Sequence, residues 1–349
     1  MSLDEETVYQ KVDRSGMLAR MQATPQRLCL TNEMKTNLPP SIAQPKNVVI
    51  AGVGGSGITG DIIWDYLRPE SQIPIAICRA SQVPKFVNEE TLFVAVSYSG
   101  ETRETLALLE KAMERKAMLA SITSGGTLLS RSLTNQIPHV RVTAGLPPRV
   151  ALPELISSLL LVLARASFIR DPDLILKAAS ESLERQIEKI KPFIPINENP
   201  AKQMAEKLRD KLPILIGPEE RTSVLRRFKN ELNENSKMPA FHITSPECYH
   251  DDIEGLRTLN SICKAQPICL ISRDQPPDQI RTRLKLFKLL DELGFPPILT
   301  FEGSGENLLS ELLTAITFGD YVSVYLAILR GIDPTDLTLI PNFRAATMT

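Results

Sequence analysis

The stretch VAVSYSGETRET, Val94 to Thr105, sets a strand-like apolar run against three hydroxyl side chains and a glycine. The run Leu92 to Val96 leads in, and a helical pattern leads out. Ser97, Ser99 and Thr102 therefore sit with Gly100 where a buried strand turns into a helix. No lysine stands among them, so this is not the Gly-Lys-Ser or Gly-Lys-Thr loop that cradles nucleotide phosphates with magnesium. Hydroxyls beside a helix start suit an anion held by many neutral donors. A cluster of ordinary helix caps is also open at this point, because Ser and Thr favour helix starts for their own sake.

Upstream, AGVGGSGITGD (Ala51 to Asp61) follows the β-branched run Val48 to Ala51 and precedes a helical pattern from Ile58 to Leu67. Gly54, Gly55 and Gly57 would permit positive φ and close approach of backbone to a ligand, with Ser56 among them. A plain tight turn and a dinucleotide fingerprint are the competing readings. The latter lacks its acidic residue, since Cys78-Arg79 ends the next strand. Both loops follow strands, and ligands of parallel sheets collect beyond the carboxyl ends of strands.

The pattern continues as IPIAIC (Ile73 to Cys78), MLASITS (Met118 to Ser124) and PHVRV (Pro138 to Val142), with a buried helix expected over Glu154 to Ser167. A charged amphipathic helix is expected over Ser180 to Lys191. LPILIG (Leu212 to Gly217), PAFHI (Pro239 to Ile243), PICLIS (Pro267 to Ser272) and PPILTF (Pro296 to Phe301) restart the alternation, and a long helix ends near Arg330. Strands alternating with helices predict an α/β protein with two units, each a mainly parallel sheet flanked by helices. The expected divisions are a helical extension over 1–40, a first unit over 41–190, a proline-rich linker over 191–200 and a second unit over 201–349.

The 349 residues suffice for two domains, and 40 basic against 41 acidic residues give a net charge of -1. That balance, spread along the chain, gives no footprint for nucleic acid or a membrane surface. Five scattered cysteines without CxxC spacing fit a reduced compartment and offer no zinc motif. Apolar runs such as Leu159 to Ala164 are too short to cross a bilayer, and the N-terminus lacks a signal pattern, so a cytoplasmic location is expected.

Three further segments carry reactive side chains. Glu234 lies in ELNENSKMPAF, His250 in SPECYHDDIEG and Arg149 in GLPPRVALPE. Each has a plain alternative: Glu234 a solvated helix charge, His250 a surface histidine in an acidic patch, Arg149 a partner of Glu154. The spacing of Glu234, His242 and His250 matches no metal-ligand motif.

Taken together, GVGGSGITGD, VSYSGETRET and SITSGG resemble the sugar-isomerase (SIS) fold, and more narrowly the bifunctional phosphoglucose/phosphomannose isomerases. NENxK followed by PExxHxxxxG, and PPRxAL, match that family's pattern as well. The resemblance covers nearly the whole chain. It implies two SIS subdomains, hexose 6-phosphates as substrates, and no cofactor or metal. It implies phosphate held by Gly55, Ser56, Ser97, Ser99 and Thr102, with Gly54 also at the substrate. Glu234 is implied as the base, His250 as the group that opens the sugar ring, and Arg149 as the enediolate stabiliser. In the family the histidine reaches the site from the other subunit, so a homodimer is implied.

Four departures stand out. Glu101 replaces an asparagine and is expected to place a negative charge near the phosphate. Pro153-Glu154 replaces Gly-Tyr, and Asp251-Asp252 replaces Asn-Glu. The tail from Asp333 has no lysine, and Arg344 is its only cation. Arginine keeps its charge, so Arg344 would orient an oxygen without shuttling a proton. Thr335 and Thr338 are the small residues that would leave room near the tail. The alternative function is a sugar-phosphate-binding SIS sensor with little catalysis, although such regulators usually carry a basic helix-turn-helix segment that residues 1–40 do not resemble. A glucosamine-6-phosphate-type enzyme would carry a glutaminase domain ahead of the two units.

Overall fold

The computed structural model describes residues 2–29 and 34–346, the side chains of Arg344 and Ala345 excepted. Three short helices come first: α1 (Glu6–Val12), α2 (Met17–Gln22) and α3 (Thr24–Leu28). The first alternation runs β1 (Lys35–Thr36), β2 (Asn47–Ala51), α4 (Gly55–Leu67), β3 (Ile75–Cys78), β4 (Thr91–Val96), α5 (Arg103–Glu114), β5 (Met118–Thr123), α6 (Gly126–Thr134), β6 (His139–Arg141) and α7 (Leu152–Arg165). The second follows as α8 (Pro172–Ile190), α9 (Pro200–Leu208), β7 (Leu212–Pro218), α10 (Thr222–Glu234), β8 (Phe241–Ser245), α11 (Asp252–Ile262), β9 (Ala265–Ile271), α12 (Pro277–Glu292), β10 (Leu299–Glu302), α13 (Leu308–Leu329) and α14 (Leu339–Ala346).

Two sheets result. The larger has the order β1-β6-β5-β4-β2-β3 and is parallel throughout except where β1 pairs with β6. The smaller, β10-β9-β7-β8, is wholly parallel. Central strands of such sheets are covered on both faces, which is why β4 is buried at every residue and reads as a continuous apolar run. Val49, Phe93 and Ala95 from β2 and β4 pack with Leu108 and Leu109 of α5 and Leu128 of α6. In the smaller unit Ile214 and Ile216 of β7 pack with Leu256 of α11 and Leu286 and Leu290 of α12.

The chain divides into two compact units. One, the six-stranded unit, comprises Ala23–Glu181 and Glu306–Leu309; the other, the four-stranded unit, comprises Met1–Gln22, Ser182–Gly305 and Ser310–Thr349. These boundaries do not coincide with those expected at 40/41 and 190/191. At the N-terminal end a buried lysine makes the join. Lys202 Nζ donates to the Leu3 carbonyl at 2.7 Å and to Asp4 Oδ1 at 3.1 Å, and Asp4 also accepts from the Ile196 amide. Tyr9 packs edge-on against Tyr325. The N-terminal helices α1 and α2 are thereby part of the four-stranded unit, and so is the stretch expected to be a linker. In that stretch Asn199 caps α9, accepting from the Ala201 and Lys202 amides.

Helix α13 is long and apolar enough, by length and composition, to cross a membrane, which a search for uninterrupted apolar runs passes over. Within the fold it is a core helix, with 94% of its apolar window buried.

Candidate functional site

The order of the larger sheet reverses between β2 and β4: β3 lies on one side of β2, while β4, β5 and β6 extend on the other. A parallel sheet opens a crevice at such a point, beyond the carboxyl ends of its strands. The glycine loop follows β2 and the hydroxyl loop follows β4, so both stand at this crevice. Gly54 adopts φ 60° and precedes α4, which begins at Gly55 rather than at the expected Ile58. Ser56 is therefore in the first turn of the helix. A Cβ on Gly57 would lie 2.6 Å from the Gly52 carbonyl, and one on Gly52 would lie 2.9 Å from the Val96 carbonyl. Glycine at these positions is what lets the loop fold back against the end of β4.

The two loops are joined by the Tyr98 amide, which donates to Ser56 Oγ at 3.0 Å. Ser97 is fully buried, and its Oγ lies 2.8 Å from Thr102 Oγ1. Ser97 Oγ also accepts from the Gly100 amide, and Ser99 Oγ accepts from the Glu101 amide. Thr102 is the N-cap residue of α5, yet its side chain makes no capping hydrogen bond. Its hydroxyl meets Ser97 instead, so the cluster is more than a set of helix caps. Gly54, Gly55, Ser56, Ser97, Ser99 and Thr102 are thus brought together at one crevice.

Glu101 turns away from the expected arrangement. Its Oε1 accepts from the Thr127 amide at 2.8 Å and its Oε2 from Thr127 Oγ1 at 2.9 Å. The carboxylate caps the first turn of α6, where the helix dipole favours negative charge.

Arg149 belongs to the same unit. The loop Thr143 to Val150 runs from β6 to α7, and the Pro148 carbonyl lies 3.7 Å from where a Cβ on Gly55 would be. Arg149 is 6% exposed. Glu154, 2% exposed in the first turn of α7, accepts from Arg27 at 3.1 Å and from the Thr143 amide at 2.7 Å. That carboxylate thereby fixes the start of the arginine loop.

In the four-stranded unit Glu234 is the last residue of α10 and is half-buried. A buried network that sequence reasoning missed lies behind it. Arg227, one α10 turn before Glu231, makes a two-pronged ion pair with Asp320 at 3.0 Å and 3.0 Å and a third contact with Glu231 at 2.9 Å. Burial opposes the charge on Arg227, but Asp320 and Glu231 outweigh it and hold the guanidinium above its ordinary pKa. Asn235 Nδ2 donates to Glu231 at 2.9 Å and to Ser323 at 2.8 Å. The i to i+4 spacing of Arg227 and Glu231 was the available signal, but Asp320 and Ser323 come from distant α13.

Lys237, at φ 52°, turns back after the helix. Its Nζ donates to the carbonyls of Glu234 at 2.9 Å, Asp333 at 3.2 Å and Asp336 at 2.6 Å. The turn that contains Thr335 is thus fastened beside the end of α10. His250 lies beyond the carboxyl end of β8, exposed, between a short turn over Glu247–Tyr249 and α11. Asp251 caps α11 by accepting from the Asp252 amide at 2.5 Å. Arg344 is on α14, but its side chain lies outside the described ones. Among the described residues no group of three or more His, Cys, Asp and Glu side chains is arranged to hold a metal ion.

The smaller sheet has a reversal of its own, between β7 and β9. There Arg221 Nε pairs with Glu311 Oε1 at 3.2 Å, and Ser272 donates to the same oxygen at 3.3 Å.

The SIS domain family matches residues 41–153, and the bacterial phospho-glucose isomerase C-terminal SIS domain family matches residues 197–346. A bifunctional phosphoglucose/phosphomannose isomerase of Caldicellulosiruptor bescii is 31% identical over 84% of this chain and 87% of its own. One from Thermoplasma acidophilum is 31% identical over 85% of this chain and 88% of its own. Among solved structures, a glucose-6-phosphate isomerase like protein from Thermus thermophilus superposes with a TM-score of 0.66 at 17% identity, covering 99% of both chains.

Proposed function

The chain belongs to the bifunctional phosphoglucose/phosphomannose isomerase family, and from that premise we propose that it interconverts glucose 6-phosphate and mannose 6-phosphate with fructose 6-phosphate. The observation that carries the proposal is the crevice between β2 and β4. Neutral hydroxyls converge there with the starts of α4 and α5, whose N-cap residues make no side-chain capping bond, a setting for the phosphate of a small ester.

In this reading Gly55, Ser56, Ser97, Ser99 and Thr102 hold the phosphate, and Gly54 lies against the substrate. The Glu234 carboxylate removes the C2 proton of the open-chain aldose, and the C2–H electron pair becomes the C1–C2 double bond of a cis-enediolate. The C1 carbonyl pair moves onto O1, which takes up the O2 hydroxyl proton. The O2 pair then forms the C2 carbonyl as Glu234 returns its proton to C1, giving the ketose. Arg149 stabilises charge on the enediolate oxygens. His250 moves a proton between the ring oxygen and the C1 hydroxyl to open the pyranose. Arg344 orients an oxygen but stays protonated. Every step uses protein groups alone.

Planarity at C2 in the enediolate erases the identity of the starting epimer. Rotation about C2–C3 presents the other face to the protonated Glu234, and Thr335 leaves space for that turn. The enzyme works as a homodimer in which His250 completes the partner's site, a reading that the exposure of His250 on its own chain supports.

The test is to incubate fructose 6-phosphate in D₂O and follow both aldoses by NMR. Glucose and mannose 6-phosphate, both deuterated at C2, are the expected products. Glucose 6-phosphate alone would leave a single-epimer isomerase. No aldose at all would leave a sugar-phosphate sensor.

A further inference from the structure

One side chain of the hydroxyl loop has no part in the scheme above. Tyr98, between Ser97 and Ser99 in the chain, is buried. The phenol oxygen donates to the Thr143 carbonyl at 2.9 Å and accepts from the Leu146 amide at 2.7 Å. Both partners belong to the loop that ends in Arg149. The backbone of the same residue serves the other loops: its amide donates to Ser56 Oγ, and its carbonyl accepts from the Ser124 amide at 2.9 Å and from Ser124 Oγ at 2.7 Å.

We propose that Tyr98 is a positioning residue that holds the Arg149 loop in register with the phosphate cradle. The proposal rests on the assignment of these loops to substrate phosphate and enediolate. Its physical basis is the way the arginine loop is tethered. Glu154 secures only the Thr143 amide, at the loop's start. Beyond that point Ala144 and Gly145 are exposed, and Gly145 takes φ +83° with open space around it. The phenol bridges this exposed stretch, gripping Thr143 on one side and Leu146 on the other. From Leu146 the chain is stiff: Pro147 and Pro148 restrict it, and the Val150 amide closes a turn onto the Pro147 carbonyl at 2.9 Å. A displacement at Leu146 is therefore carried to Arg149. Donating and accepting together requires a neutral phenol, and burial raises the pKa of Tyr98, which keeps the proton in place.

The geometry separates two effects that a general loss of structure would not. The cradle is closed by the Tyr98 backbone, and the arginine loop is held by the Tyr98 side chain. Tyr98→Phe keeps the ring and the backbone and removes only the hydroxyl. The expected result is a fall in kcat of about 10-fold to 100-fold, the scale on which small misplacement of a catalytic group acts. Competitive inhibition by inorganic phosphate should change less than about 2-fold, because uniform phosphate binding is untouched.

The variant should also lose no further activity in an Arg149→Ala background, since the two residues act as one unit. Hydrogen exchange of the Leu146 amide should accelerate while that of the Tyr98 amide does not. An unchanged kcat, a parallel loss of phosphate affinity, or full additivity with Arg149→Ala would each overturn the proposal. The exchange contrast and the phosphate titration need no turnover. Should the wild-type chain form no aldose, the isomerase reading falls, and those two measurements still decide whether Tyr98 holds the loop.

Discussion

The two sheets are wound alike, yet their crevices are furnished differently. Between β2 and β4 the chain leaves glycines and small hydroxyls, whose bonds to one another leave further donor and acceptor capacity. Between β7 and β9 it puts its own ion pair, with Arg221 from one strand end, Ser272 from the other, and Glu311 from the first turn of α13. Gly303 permits that closeness, because a Cβ there would meet the Glu311 carbonyl at 2.0 Å. Of the two similar crevices, the one between β7 and β9 is thus filled by the protein's own ion pair. What the four-stranded unit offers in exchange lies farther out, at the end of α10 and beyond its edge strand. Under the proposed function this contrast reads as a division of labour: the six-stranded unit holds the phosphate, and the four-stranded unit carries Glu234 and His250.

The strongest way to break this division is Glu234→Gln. The amide keeps the shape but cannot take a proton, so kcat should drop by about 10³-fold or more. Inhibition by a linear five-carbon phospho-acid that mimics the enediolate should be nearly unchanged. Near-wild-type turnover would put the base elsewhere. The converse substitution is Ser97→Ala with Thr102→Ala, which removes the 2.8 Å hydroxyl pair. Phosphate is gripped alike in ground and transition states, so KM should rise by about 10-fold to 100-fold with kcat within a few-fold. A fall in kcat at constant KM would contradict the cradle.

The filled crevice makes a smaller prediction, and one of stability alone. Glu311→Gln keeps an acceptor for Arg221 and Ser272 but leaves a largely buried guanidinium without its counter-charge. The expected cost is about 1–2 kcal/mol, below that of a fully buried pair because both side chains retain 12% exposure. Urea unfolding would measure it, and KM should not move. A rise in KM comparable to that of the serine-threonine variant would mean that the second crevice also meets substrate.

How much of this was legible in the sequence depended on distance along the chain. Strands β2 and β4 were readable because parallel pairing buries both faces, leaving continuous runs such as NVVIA and TLFVAV. The start of α4 was read a turn late, because glycine disfavours helices and nothing local reveals that Gly57 must clear the Gly52 carbonyl. Strand β1 has two residues and no period to detect. The junction of the N-terminal helices with the four-stranded unit depends on Lys202 reaching Leu3, a contact that no local pattern encodes. The candidate residues themselves stood out, whereas what holds them did not. Tyr98 reads as the tail of a strand and Asp320 as one charge on an apolar helix, while Glu154 reads as a departure from the family and a partner for Arg149, not as the acceptor of the Thr143 amide.

Glu101 is where local reading and geometry part most clearly, and it gives the smallest expected effect. By position it is the residue after Gly100 in the hydroxyl loop, so a carboxylate beside the phosphate would repel it. By geometry both its oxygens are engaged by Thr127, at the positive end of α6. Glu101→Gln removes the charge and keeps one acceptor for the Thr127 amide. If the carboxylate is neutralised by that helix start, two small changes follow. The cap weakens by about 0.3–1 kcal/mol, the usual scale of a charge at a helix terminus. Phosphate affinity improves by no more than about 2-fold to 3-fold at low salt, and the gain fades as ionic strength shortens the reach of the charge. Thermal unfolding and a phosphate titration at two salt concentrations would separate the terms. An improvement of about 10-fold that survives high salt would mean that the carboxylate faces the phosphate directly. In that case the six-stranded crevice would carry a built-in repulsion, and its contrast with the self-paired crevice of the other sheet would be one of degree.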